Sequence, residues 1–180
     1  MKKDFTVKNL ILIAVFSAIT AVCSWITIPF LTIPFTMQTF AVFLALRFLG
    51  GRDGTLAILI YILMGAVGVP VFSGFGAGFG VILGPTGGYI VGFLLCAFLF
   101  WALEKPAGKS AVYADVILFA GLLLCYVFGT LWFIKVMSDK GTTYTFSAAL
   151  SACVLPFVVP DVLKLALSHV VGIRLKKTGH

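Results

Sequence analysis

With 61% hydrophobic residues, 11% charged residues and a mean hydropathy of +1.15, this 180-residue chain lies far outside soluble usage, where about a quarter of residues are charged. It reads as an integral membrane protein, with room for about six spans of roughly 20 residues and none for a second, soluble domain. The net charge of +7 comes from 13 basic and 6 acidic residues, the basic ones clustered at the ends of apolar runs. That pattern carries orientation, not the basic face of a nucleic-acid binder.

Lys2 and Lys3 followed by apolar sequence from Leu10 resemble a secretion signal, but the apolar run continues to Ile28 without an A-x-A site. It is therefore read as a retained first span, about 9–25. Ala14 and Ala18 stand in small-xxx-small register, with Ser17 and Ala21 nearby, leaving a strip where another helix can approach closely. Residues 26–38 (ITIPFLTIPFTMQ) hold Pro29 and Pro34 among threonines and aromatics, so an extended, apolar, irregular segment is expected. A second span, about 36–49, ends in Arg47, Gly50, Gly51, Arg52, Asp53 and Gly54, and a third, about 55–67, is short by bilayer standards.

The stretch 68–89 (GVPVFSGFGAGFGVILGPTGGY) contains eight glycines, two prolines and no charge. Such a density predicts a loop, because glycine costs about 1 kcal/mol and proline about 3 in a helix interior. Its glycines alternate with Val71, Phe72, Phe75, Phe79 and Ile82. Non-helical backbone this apolar is tolerated at membrane depth only when buried in protein or lining a cavity, so the stretch is read as the wall of a pocket for a mostly apolar small molecule.

A fourth span over about 86–103 precedes Glu104, Lys105 and Lys109, and a fifth, about 113–136, carries Asp115 as a first-turn acid. After the polar turn 138–143, a short helix over about 146–154, a break, and a sixth span over about 160–172 are expected. Pro160 suits the first helical position of that span and Asp161 its first turn. On one face lie Lys2, Lys3, Lys8, Arg47, Arg52, Lys105, Lys109, Arg174, Lys176 and Lys177; on the other, only Lys135 and Lys140. The positive-inside rule then places both termini in the cytoplasm and the unusual apolar segments outside.

Asp161 and Lys164 form the one ionisable pair inside an apolar run. Each would cost roughly 2.5 to 3.5 kcal/mol at a helix centre on insertion scales, so such residues pair or line a polar cavity. Either they brace the bundle, or Asp161 accepts hydrogen bonds from ligand N–H groups while Lys164 holds it ionised or meets a ligand carboxylate. Thr32, Thr36 and Gln38 are further candidates for such a carboxylate. His169 reads as a packed polar residue, and Tyr89 and Trp132 as either interface-belt aromatics or a stacking floor. The four cysteines, Cys23, Cys96, Cys125 and Cys153, read as small buried hydrophobes. There is no Cys/His metal-ligand cluster, no G-x-S-x-G or H-E-x-x-H, and Gly108-Lys109-Ser110 lacks the rest of a phosphate-binding loop.

The motifs PFTMQTFAV (34–42), GAVGVPVF (65–72), GPTGGY (84–89), GTLW (129–132) and LPFVVPDVLK (155–164), in this order, resemble the BioY family across nearly the whole chain. These are biotin-binding substrate-capture (S) components of energy-coupling factor (ECF) transporters. The resemblance implies an all-α, six-helix membrane domain holding biotin under the first and third outer loops. The implied ligand-binding residues are Asp161, Lys164, Tyr89, Phe72, Phe79, Gly88, Trp132, Phe35 and Gln38. It also implies that Ala14 and Ala18 dock on a transmembrane coupling subunit, that two cytoplasmic ATPases supply the energy, and that the chain is no enzyme and needs no cofactor. Val159-Pro160-Asp161 departs from the family's usual Pro-Gly-Asp. Two other classes are an intramembrane enzyme using Asp161 with His169, and a bundle with no ligand.

Overall fold

The computed structural model describes residues 6–28, 33–107 and 110–178; Lys2, Lys3, Pro29, Thr32, Gly108 and Lys109 lie outside them. Thr6 caps the first helix, α1 (Val7–Trp25), by accepting from the Asn9 N–H. Two short strands, β1 (Thr27–Ile28) and β2 (Phe35–Thr36), then pair antiparallel, so the segment expected to be extended is a small ribbon. It is tied to the end of α1 by the Met37 N–H, which donates to the Cys23 and Ile26 carbonyls.

Helix α2 (Gln38–Leu49) begins two residues later than expected and is buried along most of its length. Gly50, at φ 88°, turns the chain straight into α3 (Gly51–Ala66), a conformation that glycine adopts without strain. The glycine-rich stretch is not loop throughout. It contains a 3-10 turn at Ser73–Phe75 and a single-turn helix, α4 (Phe79–Ile82), before α5 (Gly87–Ala107).

Helix α6 (Ala111–Asp139) is capped by Ser110 and is longer than the predicted fifth span. Asp115 is therefore its fifth residue rather than a first-turn acid. After α7 (Phe146–Cys153), helix α8 runs unbroken over Leu155–Thr178 with Pro160 inside it. The helix-starting proline is Pro156, in the first turn where no intrahelical N–H is required. Asp161 thus lies inside the helix instead of at its N-terminus.

Among the described residues, four helices are long and apolar enough to cross a membrane: α1, α5 up to Glu104, α6, and α8 up to Leu175. Their tightest contact, α5 against α6, rests on two strips of small residues at four-residue spacing, Gly88, Gly92 and Cys96 facing Gly121, Cys125 and Gly129. A Cβ added at Gly88 would strike Trp132, at Gly92 Cys125, at Gly121 Cys96, and at Gly129 the Tyr89 ring. Each helix so receives side chains of the other, which is how helices approach closely where lipid gives no hydrophobic drive.

Candidate functional site

At the end of the bundle where β1, β2, the glycine-rich stretch and α7 meet, a cavity encloses about 710 Å³ of free space, part of it continuous with the surroundings. Its wall is largely apolar and aromatic, including Ile33, Phe72, Ile90, Phe93, Leu122 and Phe157. Pockets for small molecules are commonly lined this way, with a few polar groups fixing orientation.

The polar groups converge on Asp161, which is only 4% exposed. Tyr126 of α6 donates from its hydroxyl to Asp161 Oδ2 at 2.6 Å, and Lys164 donates to Oδ1 at 2.7 Å. Both oxygens are so held, and each keeps lone-pair capacity for a further donor. Lys164 is itself 5% exposed. Its Nζ also donates to the Thr36 carbonyl at 2.7 Å and lies 4.0 Å from the Phe35 ring centroid. The ammonium is thereby surrounded by a carboxylate, a carbonyl and a ring face, and it ties α8 to β2. Pro160 places the pair correctly without starting the helix: Asp161 and Lys164 still share one side at i, i+3 spacing.

Of the residues expected at a ligand, Asp161, Lys164, Tyr89, Phe72 and Gln38 line the cavity. Gln38 donates to the Tyr61 hydroxyl at 2.9 Å, and Tyr61 stands edge-on to Phe72. Phe72 fits over Gly65 of α3, where a Cβ would overlap its ring. Tyr89 hydrogen-bonds Thr130 at 3.2 Å. Phe35 stands behind Lys164 and stacks on Phe157. Gly88 and Trp132 pack on each other outside the wall, and Trp132 Nε1 donates to the Gly84 carbonyl at 3.0 Å, holding the glycine-rich stretch against α6. Phe79 is 65% exposed and faces away from the cavity.

Tyr126 is the residue that sequence reasoning passed over. Tyr126 lies midway along α6, where one more aromatic in an apolar run marks nothing by itself, and only the fold shows its hydroxyl on Asp161. Thr39, Ser73 and Thr86 also line the cavity.

His169 is no partner of Asp161. Its Nδ1 lies 2.6 Å from Asp115 Oδ2, and Asp115 is in turn paired with Arg47. Arg47 is 5% exposed, not a surface charge at a helix end, and its side chain lies across Gly172, where a Cβ would collide with it. On α1, Ala14 and Ala18 are exposed, whereas Ser17 and Ala21 are buried. Ser17 donates to the Ala57 carbonyl of α3 at 2.8 Å, so the small residues serve two faces, one inside the bundle and one outside.

The whole chain, residues 1–180, matches the sequence model of the BioY family. The chain belongs to the BioY family. A relative named biotin transporter BioY, from Thermotoga maritima, is 39% identical over 170 residues, covering 94% of this chain and 96% of its own. A probable biotin transporter BioY of Pyrococcus horikoshii is 38% identical over 169 residues, covering 94% and 96%. Biotin transporter BioY2 of Lactococcus lactis subsp. cremoris is 39% identical over 168 residues, covering 93% and 89%. The fold is similar to a crystal structure of the S-component for biotin from an ECF-type ABC transporter, with a TM-score of 0.82 at 25% identity over 98% of this chain and 95% of that one. With its apolar helices, this BioY-family chain is a multi-pass membrane protein.

Proposed function

We propose that this chain captures biotin at its pocket end and delivers it across the cytoplasmic membrane as the substrate-binding subunit of an ECF-type transporter. The observation that carries the reading is the carboxylate of Asp161, buried in an aromatic cavity with Tyr126 and Lys164 on its two oxygens. Biotin is a fused bicycle with a urea edge and an aliphatic acid tail. Its rings suit the Phe72, Phe93 and Phe157 walls, and one urea N–H suits a charged acceptor. Leaving that N–H unpaired in a buried site would cost about 1 to 3 kcal/mol.

Lys164 acts by holding the Asp161 carboxylate in place, as its ammonium already meets Asp161, the Thr36 carbonyl and the Phe35 ring. Tyr89, Phe72 and Gln38 complete the contact surface; Phe35, Gly88 and Trp132 support it from behind. In this reading the short α2 and α3 join the four long helices to make six passes, with both termini in the cytoplasm and the pocket outside. Ala14 and Ala18 on the outer face of α1 offer a close-approach strip to a transmembrane coupling subunit, and paired ATPases on the cytoplasmic side supply the energy. Purified protein titrated with biotin in a calorimeter should show one saturable site, and protein from growing cells should release biotin on denaturation. Absence of heat with biotin, together with a different bound molecule by mass spectrometry, overturns the assignment.

A further inference from the structure

Helix α3 has 16 residues, so it rises about 24 Å, short of the roughly 30 Å of a bilayer's hydrocarbon core. The chain nevertheless turns back at its end. Gly78 N–H donates to the Gly65 carbonyl at 2.7 Å and the Phe72 ring sits over Gly65, so the glycine-rich stretch folds down beside the last turn of α3. At that level Leu63 of α3 and Val67 just after it are exposed apolar side chains. The folded-back stretch continues this surface with Phe75, Phe79 and Leu83, each more than 60% exposed. Phe75 holds a left-handed backbone, φ 59°, that places its ring against Trp25 of α1, 5.2 Å between centroids. Such a conformation is uncommon for a non-glycine residue. From Gly54 to Leu103 the sequence has no charged residue.

We infer that the segment 69–85 is seated in the bilayer: Phe75, Phe79 and Leu83 contact acyl chains of the leaflet at the pocket end, while Val81 on the same short helix faces the cavity. The segment is then a thin wall between the cavity and lipid, and the membrane surface is reached instead by the end of α6 and the polar turn after it, which carry Asp139 and Lys140. Its occupant is lipid because the exposed side chains of the stretch are apolar, Phe75 meets Trp25 of the membrane-length helix α1, and no charged residue lies anywhere between Gly54 and Leu103. Several backbone groups of the segment are held inward, which lowers the cost of irregular backbone at membrane depth: Gly78 N–H donates to Gly65, the Trp25 indole donates to the Pro70 carbonyl, and Trp132 donates to the Gly84 carbonyl.

The test uses the full chain in phosphatidylcholine vesicles, with tryptophan introduced as Phe79→Trp and, separately, Leu83→Trp; both positions are exposed, so neither change disturbs the core. The added emission, taken as the difference from the parent protein, should lose most of its intensity when the vesicles carry brominated acyl chains and little with aqueous iodide. A Thr143→Trp control should show the reverse. Emission quenched by iodide and spared by bromolipid would place the segment in water and overturn the inference. Emission shielded from both would mean that protein, such as a second copy, covers it, which overturns the inference equally. Biotin binding plays no part in either readout.

Discussion

Helix α8 carries two ionic clusters about two turns apart, the first buried and the second part-exposed, built from corresponding parts. Around Asp161 and Lys164 gather Tyr126 from α6 and Thr36 from the segment before α2. Around His169 gather Asp115 from α6 and Arg47 from α2. Each cluster therefore ties α8 to α6, the first reaching on to β2 and the second to α2, and both answer the same need, since a charge facing an apolar interior must find a partner. They differ in what lies beside them. The first borders the cavity, and its carboxylate keeps accepting capacity toward that space; the second borders helix backbone, where Arg47 crosses Gly172. An ionisable residue in an apolar run thus says that a partner exists, and only the neighbouring space says whether the partner is a ligand or a brace.

The comparison breaks most sharply at Asp161. Asp161→Asn removes the charged acceptor, and biotin should bind about 100-fold more weakly, the scale of a lost charge-assisted hydrogen bond in a buried site. Titration calorimetry reads this, and affinity unchanged within threefold would move the site elsewhere. Arg47→Met should do the opposite. Leaving Asp115 with His169 alone should lower stability by about 2 kcal/mol, less than for a fully buried pair because Asp115 is partly exposed, seen as a lower melting temperature in detergent. The folded fraction should keep its biotin affinity.

Smaller effects sharpen the division within each cluster. Tyr126→Phe deletes one neutral donor to Asp161 and should weaken biotin about fivefold, near 1 kcal/mol, with little change in melting temperature. A larger stability loss than affinity loss would make Tyr126 a packing residue. His169→Gln, at a half-buried position, should cost less than about 1 kcal/mol of stability and leave binding untouched. A loss of affinity there would couple the two clusters.

The sequence made Asp161 and Lys164 legible because charge is rare in a lipid-crossing run, and it made the pocket wall legible because glycine and phenylalanine at that density serve no exposed loop. It left Tyr126 and Arg47 unread for the same reason in reverse. Tyr126 is one of many aromatics in apolar runs and carries no mark of its own, and Arg47 sits beside a glycine turn with other charges, where a solvated residue is the ordinary expectation. Pro160 misled because proline marks helix starts, whereas here Pro156 already fills that role and the helix carries a second proline. Phe79 was drawn to the cavity by its neighbours in sequence, but a single turn of helix points Val81 inward and Phe79 out.

The most direct measurement is a calorimetric cycle that pairs biotin and its N-methylated urea analogue with the parent protein and Asp161→Asn. If Asp161 accepts from the urea N–H, methylation should weaken binding strongly in the parent and far less in the variant, whose acceptor is already impaired. An equal penalty for methylation in both proteins would show that the urea N–H meets some other group, and would contradict the assignment of Asp161 as its acceptor.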